Sequence, residues 1–374
     1  MIHSSMADES SGVADAPARV LIVLLGSIGD VVRALPLLGR LRQNWPRAYI
    51  AWAVEPKSEP ILRGHPWLDE TIIYDRSRAP RSFLTFLRHI RRGRFDLAID
   101  LQRHLKSGIV ALASGAPRRL GFARANVKEY NHWFSTEQIP PQPAMRLKLM
   151  QYQQFGDLLG LASGPIAFGL RGSPDADERI AELLQQAPRP ILGVILGSSW
   201  ASRLYFPEAI AEVVRSLSVA DDRAPAFFPV LIGGPDDRAL AAQVEHHLET
   251  LPRLNLTGKT RLDELPALFR ACAAAFAPDC GPMHIAAAVG CPVVSLWGAT
   301  AAQRSAPWGF ADFAITGAIG CSPCYLRRCP VGRECMRRID PASVAAAVRR
   351  AHMSRIARTE EDANARLSAV GGGR

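Results

Sequence analysis

Val20-Leu-Ile-Val-Leu-Leu-Gly-Ser-Ile-Gly-Asp-Val-Val-Arg-Ala-Leu-Pro36 is the stretch on which the reading of this chain turns. Val20 to Leu25 is an apolar run, too short to span a bilayer and the right length for a buried strand. Gly26-Ser27-Ile28-Gly29-Asp30 makes a tight turn. Val31, Val32, Leu35, Leu38 and Leu41 then recur at helical spacing. A strand, a glycine turn and a helix place backbone N–H groups at the carboxyl edge of a sheet, where α/β proteins bind ligands. Asp30 is the one carboxylate at that edge. Two readings of it stand side by side. Ser27 and Asp30 have the spacing of a capping box, which would only satisfy the first N–H groups of the helix; the same carboxylate at a strand end could equally serve chemistry. The turn is neither Gly-x-Gly-x-x-Gly nor a P-loop, so dinucleotide and Walker-type nucleotide binding lack support.

Working outward, further strands are expected at 49–54, 70–74, 95–101, 190–196, 228–232, 254–256, 273–277 and 292–297, alternating with helices. That alternation argues for parallel, doubly wound sheets. Proline-rich and glycine-rich stretches divide the chain. The expected organisation is a disordered leader over 1–18, a first domain over 19–165, a linker over 166–189, a second domain over 190–340, a helix over 341–357 and a flexible tail over 358–374. The 374 residues suit two domains, and 48% hydrophobic content is enough for two cores. The formal net charge of +10 favours an anionic partner. Aromatic residues are only 7%, and none interleave with basic residues as in a nucleic-acid module, so nucleic acid is not an expected partner. The N-terminus lacks the apolar core of a signal peptide, which points to a cytoplasmic protein.

Three other stretches carry chemistry. Beyond the strand at 95–101 come Gln102, Arg103, His104, Lys106 and Ser107, then Arg118, Arg119, Arg124 and Lys128, a basic cluster that is either a solvated face or an anion site. The strand at 190–196 ends in Gly197-Ser198-Ser199-Trp200-Ala201-Ser202-Arg203, an echo of the opening unit. Pro278-Asp279-Cys280-Gly281-Pro282-Met283-His284 launches a helix whose N–H groups suit a phosphate, to which His284 could donate. Taken singly, Asp279 could be a cap and His284 a buried helix histidine. Cys321, Cys324, Cys329 and Cys335 have a zinc-like count but not the spacing of two CxxC knuckles, which favours reduced thiols packing an interdomain edge over a metal site.

Together these motifs resemble the ADP-heptose:lipopolysaccharide heptosyltransferase family, glycosyltransferase family 9, from Arg19 to about Arg350. Asp100-Leu-Gln102 with Lys106-Ser107, Gly121-Phe122, Gly234-Pro235-x-Asp237, Gly298-x-Thr300 and Cys335-Met336 look similar too. The resemblance implies a GT-B fold, two doubly wound Rossmann-like α/β domains facing a central cleft, with the helix over 341–357 crossing back to the first domain. It implies an inverting transfer of a heptose from ADP-heptose to the inner core of lipopolysaccharide, on a Kdo–lipid A or heptose acceptor. Asp30 matches the family's proposed base. Ser198, Ser199, Arg203, Asp237, Asp279, Gly281, Pro282 and His284 would bind the donor; Gly29, Lys106, Arg118, Arg119, Arg124 and Lys128 would bind the acceptor. No cofactor and no metal would be needed, and the enzyme would work as a peripheral protein at the cytoplasmic face of the inner membrane. This chain departs from the family in having Arg203 where a lysine is common, and in lacking a Trp-Pro pair after it. A related transferase using another nucleotide sugar, or a non-catalytic nucleotide-sugar-binding protein, are the alternatives.

Overall fold

The computed structural model describes residues 16–78, 81–220 and 225–371. Most of the expected leader, residues 1–15, lies outside the described residues. The first half runs β1 (Arg19–Val23), α1 (Ile28–Asn44), β2 (Tyr49–Val54), β3 (Glu70–Ile73), α2 (Arg81–Arg92), β4 (Leu97–Asp100), α3 (Leu105–Ala113), β5 (Arg118–Gly121), β6 (Glu137–Gln138) and α4 (Lys148–Leu158). The second half runs α5 (Pro174–Leu184), β7 (Ile191–Ile195), α6 (Pro207–Leu217), β8 (Phe228–Ile232), α7 (Arg238–Leu248), β9 (Leu254–Asn255), α8 (Leu265–Ala271), β10 (Ala274–Pro278), α9 (Gly281–Ala288), β11 (Val293–Trp297), α10 (Ala302–Ser305), β12 (Ala314–Thr316), α11 (Glu334–Arg337) and α12 (Pro341–Gly371).

The sheets are β3-β2-β1-β4-β5-β6 and β12-β11-β10-β7-β8-β9, and all their pairings are parallel. Counted from its own first strand, each half has the same order. Each therefore reverses direction once, between β1 and β4 in one and between β7 and β10 in the other, and a crevice opens at the carboxyl ends there. Helices cover both faces, which is why Val20–Val23 of β1, β7 and β10 read as unbroken apolar runs and not as alternating ones. Residues Val20 to Val23 are wholly buried.

The two halves meet where α1 and α9 start. A Cβ on Gly29 would lie 2.8 Å from His284 Cδ2, and one on Gly281 would lie 2.8 Å from Ile28 Cβ. Only glycine on each side lets the helix starts approach this closely. One apolar core runs through the junction, from Val31 and Leu35 to Met283 and Ile285.

Three strands escaped the sequence reading. β5 was hidden because Arg118 and Arg119 open it, and β6 and β12 are short edge strands with little apolar signal. The helix over 341–357 was expected to cross to the first domain. Its described part packs instead on α6, β10 and β11, with Val344, Ala347, Val348 and Ala351 buried among second-domain side chains such as Val213 and Phe276. Arg355 and Arg349 tie it to the carbonyls of Cys272 and Ser216. Its small, apolar face fits the flat side of that sheet, and this fixes it there. The helix is also carried to Gly371, past the expected start of a tail at 358.

Candidate active site

Asp30 lies in the first turn of α1, at the carboxyl end of β1. Its Oδ1 accepts from Arg33 Nη2 at 2.7 Å and from Lys148 Nζ at 2.7 Å, with the Tyr152 hydroxyl at 3.4 Å. Among the described residues its Oδ2 takes only the Ser27 hydroxyl, at 3.1 Å. Ser27 makes no side-chain cap bond. The geometry therefore decides between the two readings of this turn: the carboxylate is not spent on the helix's N–H groups. Arg33 is one helical turn along α1, and Lys148 and Tyr152 are one turn apart on α4, which packs along α1.

Burial alone would raise the Asp30 carboxyl, but Lys148 and Arg33 outweigh it and hold the group well below the usual carboxylate range. Burial pulls the Lys148 ammonium down to about 8, against the pull of Asp30. Asp30 is thus ionised at any working pH, with one oxygen engaged by cations and the other by the neutral Ser27 hydroxyl.

Arg33 reaches across the domain junction. Its Nη1 donates to His284 Nε2 at 2.5 Å. Burial, together with Arg33, pushes the His284 imidazole well below its ordinary value, so the ring is neutral. His284 Nε2 is therefore the acceptor of an interdomain bond, which leaves Nδ1 as the N–H of the neutral ring. Gly29, expected on the acceptor side, is buried against His284, where it allows the two helix starts to pack closely.

In the second domain, Asp279 ends β10. Its Oδ2 accepts from Thr300 Oγ1 at 2.7 Å and faces Arg203 Nη1 at 3.3 Å. Its carbonyl accepts from Ser198 Oγ at 2.8 Å, a bond that bridges the crevice between β7 and β10. Arg203 stacks on Trp200 at 3.9 Å. It also lies close enough to Arg33 and Asp30 to feel both charges. Ser199 is exposed beside it, and Gly281 and Pro282 open α9 at the rim. Asp237 accepts from the Gly234 N–H at 2.8 Å, and burial raises its carboxyl, with Lys57 of the first domain opposing that rise. Gly197 makes room for it: a Cβ there would sit 2.1 Å from Asp237 Oδ2.

The acceptor-side expectations divide. Lys106 sits at the carboxyl edge with its ammonium 5.0 Å over the Tyr74 ring, and Arg124 and Lys128 are exposed beyond the end of β5. Arg118 and Arg119 are elsewhere. β5 runs parallel to β4, with Leu97 opposite Arg118, so both arginines stand at the amino end of their strand, away from the crevice. Arg118 forks onto Glu137 at 2.8 and 3.0 Å, and Arg119 donates to the carbonyls of Phe134 and Ala116. Their role is to fasten the sheet edge.

The cations that do line the crevice are mostly ones the sequence reading passed over. Arg33, Arg103 and Lys148 come from the first domain, and Arg203 and Arg304 from the second. Arg103 stacks on Phe122 at 3.7 Å and bonds Gln151. Arg304 acts on Lys148, Tyr152 and Arg103 electrostatically. Arg33 had a legible signal in its three-residue spacing from Asp30, and Arg103 in its place just past the strand at 95–101. Two of these guanidinium groups, Arg33 and Arg203, each keep a buried Nε–H without a partner among the described residues.

The four late cysteines are free, graded from exposed Cys321 to buried Cys335. Among the described residues no group of three or more His, Cys, Asp or Glu side chains is arranged to hold a metal. Their loop braces the second domain's own turns and not an interdomain edge. Ser202 bonds the carbonyls of Arg327 and Leu326, and Ser322 and Tyr325 bond those of Gly298 and Ala299. The loop so fixes the turn that carries Arg203.

The sequence profile of Glycosyltransferase family 9 (heptosyltransferase) matches residues 83–334. A lipopolysaccharide core heptosyltransferase of Haemophilus influenzae is 24% identical over 305 residues, covering 81% of this chain and 85% of that one. Lipopolysaccharide heptosyltransferase 1 of Pseudomonas aeruginosa is 27% identical over 326 residues, covering 83% and 87%. The solved ADP-heptose lipopolysaccharide heptosyltransferase II of Escherichia coli superposes with a TM-score of 0.70 at 21% identity, over 90% of this chain and 99% of that one. The paired parallel sheets are the GT-B arrangement of these enzymes, and with the profile covering well over half of its length, this chain belongs to glycosyltransferase family 9, the heptosyltransferases.

Proposed function

We propose that this glycosyltransferase moves a heptose from ADP-heptose, with inversion, onto the inner core of lipopolysaccharide. The observation that carries the reading is the asymmetry at Asp30. One carboxylate oxygen is held by cations and the other only by the Ser27 hydroxyl among the described residues, while unfilled guanidinium N–H groups of Arg33 and Arg203 come from opposite domains. An acceptor hydroxyl would hydrogen-bond Oδ2 and attack the anomeric carbon, passing its proton to Asp30 as the C–O bond forms. The bond to the diphosphate breaks on the other face, and ADP leaves with its charge met by Arg203, Arg33 and the start of α9. Ser198, Ser199 and Asp237 would line the donor side; Lys148, Arg103, Lys106, Arg124 and Lys128 would meet the anionic acceptor. Because Asp30 is a weak base, alignment of hydroxyl and anomeric carbon must supply much of the rate. With these cations opposite the diphosphate, no metal is required. Among the described residues no helix is long and apolar enough to cross a membrane. The reading places the enzyme peripherally at the cytoplasmic face of the inner membrane, where a lipid-linked acceptor would be met.

Calorimetry with ADP, UDP, GDP, CMP and ADP-heptose tests it. ADP should bind selectively and ADP-heptose more tightly, with turnover unchanged in EDTA. Preference for UDP or GDP would move the enzyme to another donor; binding of none would overturn the reading, and loss of turnover in EDTA restored by Mg²⁺ would overturn the account of the leaving group.

A further inference from the structure

The loop after β5 has two faces. Its inner face is anchored by a buried carboxylate. Asp100 accepts from Asn131 Nδ2 at 2.7 Å, from Ser107 Oγ at 2.9 Å and from the Gln102 N–H at 2.9 Å. Asn131 also donates to the His104 carbonyl at 2.8 Å, and Phe134 lies against Gly108 of α3. A buried carboxylate with three donors is costly to disturb, so this loop is held in one shape. Its outer face carries the most exposed aromatic pair among the described residues. Tyr130 is 64% exposed and Trp133 71%, and their rings stack with centroids 4.7 Å apart.

Stacking on each other does not cover them, and the backbone is bent to present them. Glu129 and Tyr130 are consecutive non-glycine residues at positive φ, +54° and +57°. Such positions cost free energy and persist only when their surroundings enforce them. Leu105, 42% exposed, adjoins the pair, its N–H bonded to Glu129 Oε2 at 3.1 Å. Lys128 and Arg124 stand exposed on the same loop. Glu129, next to Tyr130 in sequence, is turned aside to the Leu105 N–H and to His104 Nδ1 at 3.6 Å. A Trp–Tyr pair with an exposed leucine and flanking cations matches the boundary between lipid headgroups and acyl chains, where amphipathic rings settle and basic side chains meet lipid phosphates. The loop is also joined to the crevice. The Lys128 N–H bonds the carbonyl of Arg103, whose side chain reaches Gln151 on the same helix as Lys148.

We propose that the Tyr130–Trp133 platform, with Lys128 and Arg124, docks this enzyme onto an anionic bilayer, setting the Asp30 crevice beside the headgroups. The proposal rests on the reading that the acceptor is lipid-linked. It is tested by sedimentation with vesicles of phosphatidylcholine alone or mixed with phosphatidylglycerol, comparing the wild-type chain with Tyr130→Ser/Trp133→Ser. Thermal melting and ADP binding check that the variant is folded. The wild type should pellet with the anionic vesicles at low salt, and less on neutral vesicles or in high salt. The variant should lose about tenfold or more in partitioning while keeping its fold and its ADP affinity. Partitioning equal to wild type would overturn the proposal. So would retained vesicle binding with lost turnover on a deacylated acceptor, which would make the pair a sugar-stacking platform. Vesicle binding that depends on Trp133 in a protein that ignores ADP-heptose would leave the docking surface standing while the donor assignment fell.

Discussion

Asp30 and Asp279 each lie where a strand beside its sheet's reversal gives way to a helix, and they differ in what frames them. Asp279 is held from within its own domain: Thr300 and Arg203 both meet its Oδ2, and Ser198 and Arg203 its carbonyl. Asp30 has one oxygen saturated by Arg33 and Lys148 and one nearly free. A carboxylate beside a sheet's reversal thus ties turns together within the second domain and is framed from both domains in the first. What separates them is the neighbours: Asp279 is satisfied from its own domain, whereas Asp30 is framed by α4 and, through Arg33, by α9 of the other half.

The sharpest way to break the comparison is Asp30→Asn. Turnover should fall by about 10²–10⁴-fold while ADP affinity holds, as expected for loss of a general base. An equal fall in donor affinity would make Asp30 a binding group. Arg203→Ala should come next, costing about 10²–10³-fold in turnover if it meets charge on the departing diphosphate. Arg203→Lys should restore part of that, since a point charge replaces a fork. A full restoration would show that the fork's contacts to Asp279 do not matter.

Lys148→Met isolates the electrostatics. Removing this cation lets burial raise the Asp30 carboxyl, so the acid limb of kcat/KM should move to higher pH. A limb that stays in place would mean that Arg33 alone sets the carboxylate. The smallest effect belongs to Arg118→Gln. Its part-exposed pair with Glu137 is worth about 0.2–1 kcal/mol of stability, and turnover should stay within about twofold. A large loss of turnover would return Arg118 to the acceptor site against its position at the amino end of β5.

The layers and the two edges were legible in the chain alone. Strands buried on both faces are nearly all apolar, so β1, β2, β4, β7, β8, β10 and β11 stood out, and the glycine turns after β1 and β10 marked where ligands could sit. Asp30 and Asp279 were legible for the same reason. Only the tertiary structure decided which charges face the crevice. Lys148 meets Asp30 across 118 residues of chain and Arg33 meets His284 across 251, and no local pattern encodes such pairings. Arg118 and Arg119 looked like part of a basic patch until β5 gave them a strand and a direction. A side chain's chemistry is written in its residue type, but its partner is set by packing, because a buried charge takes the role of whatever neighbour the fold brings within reach.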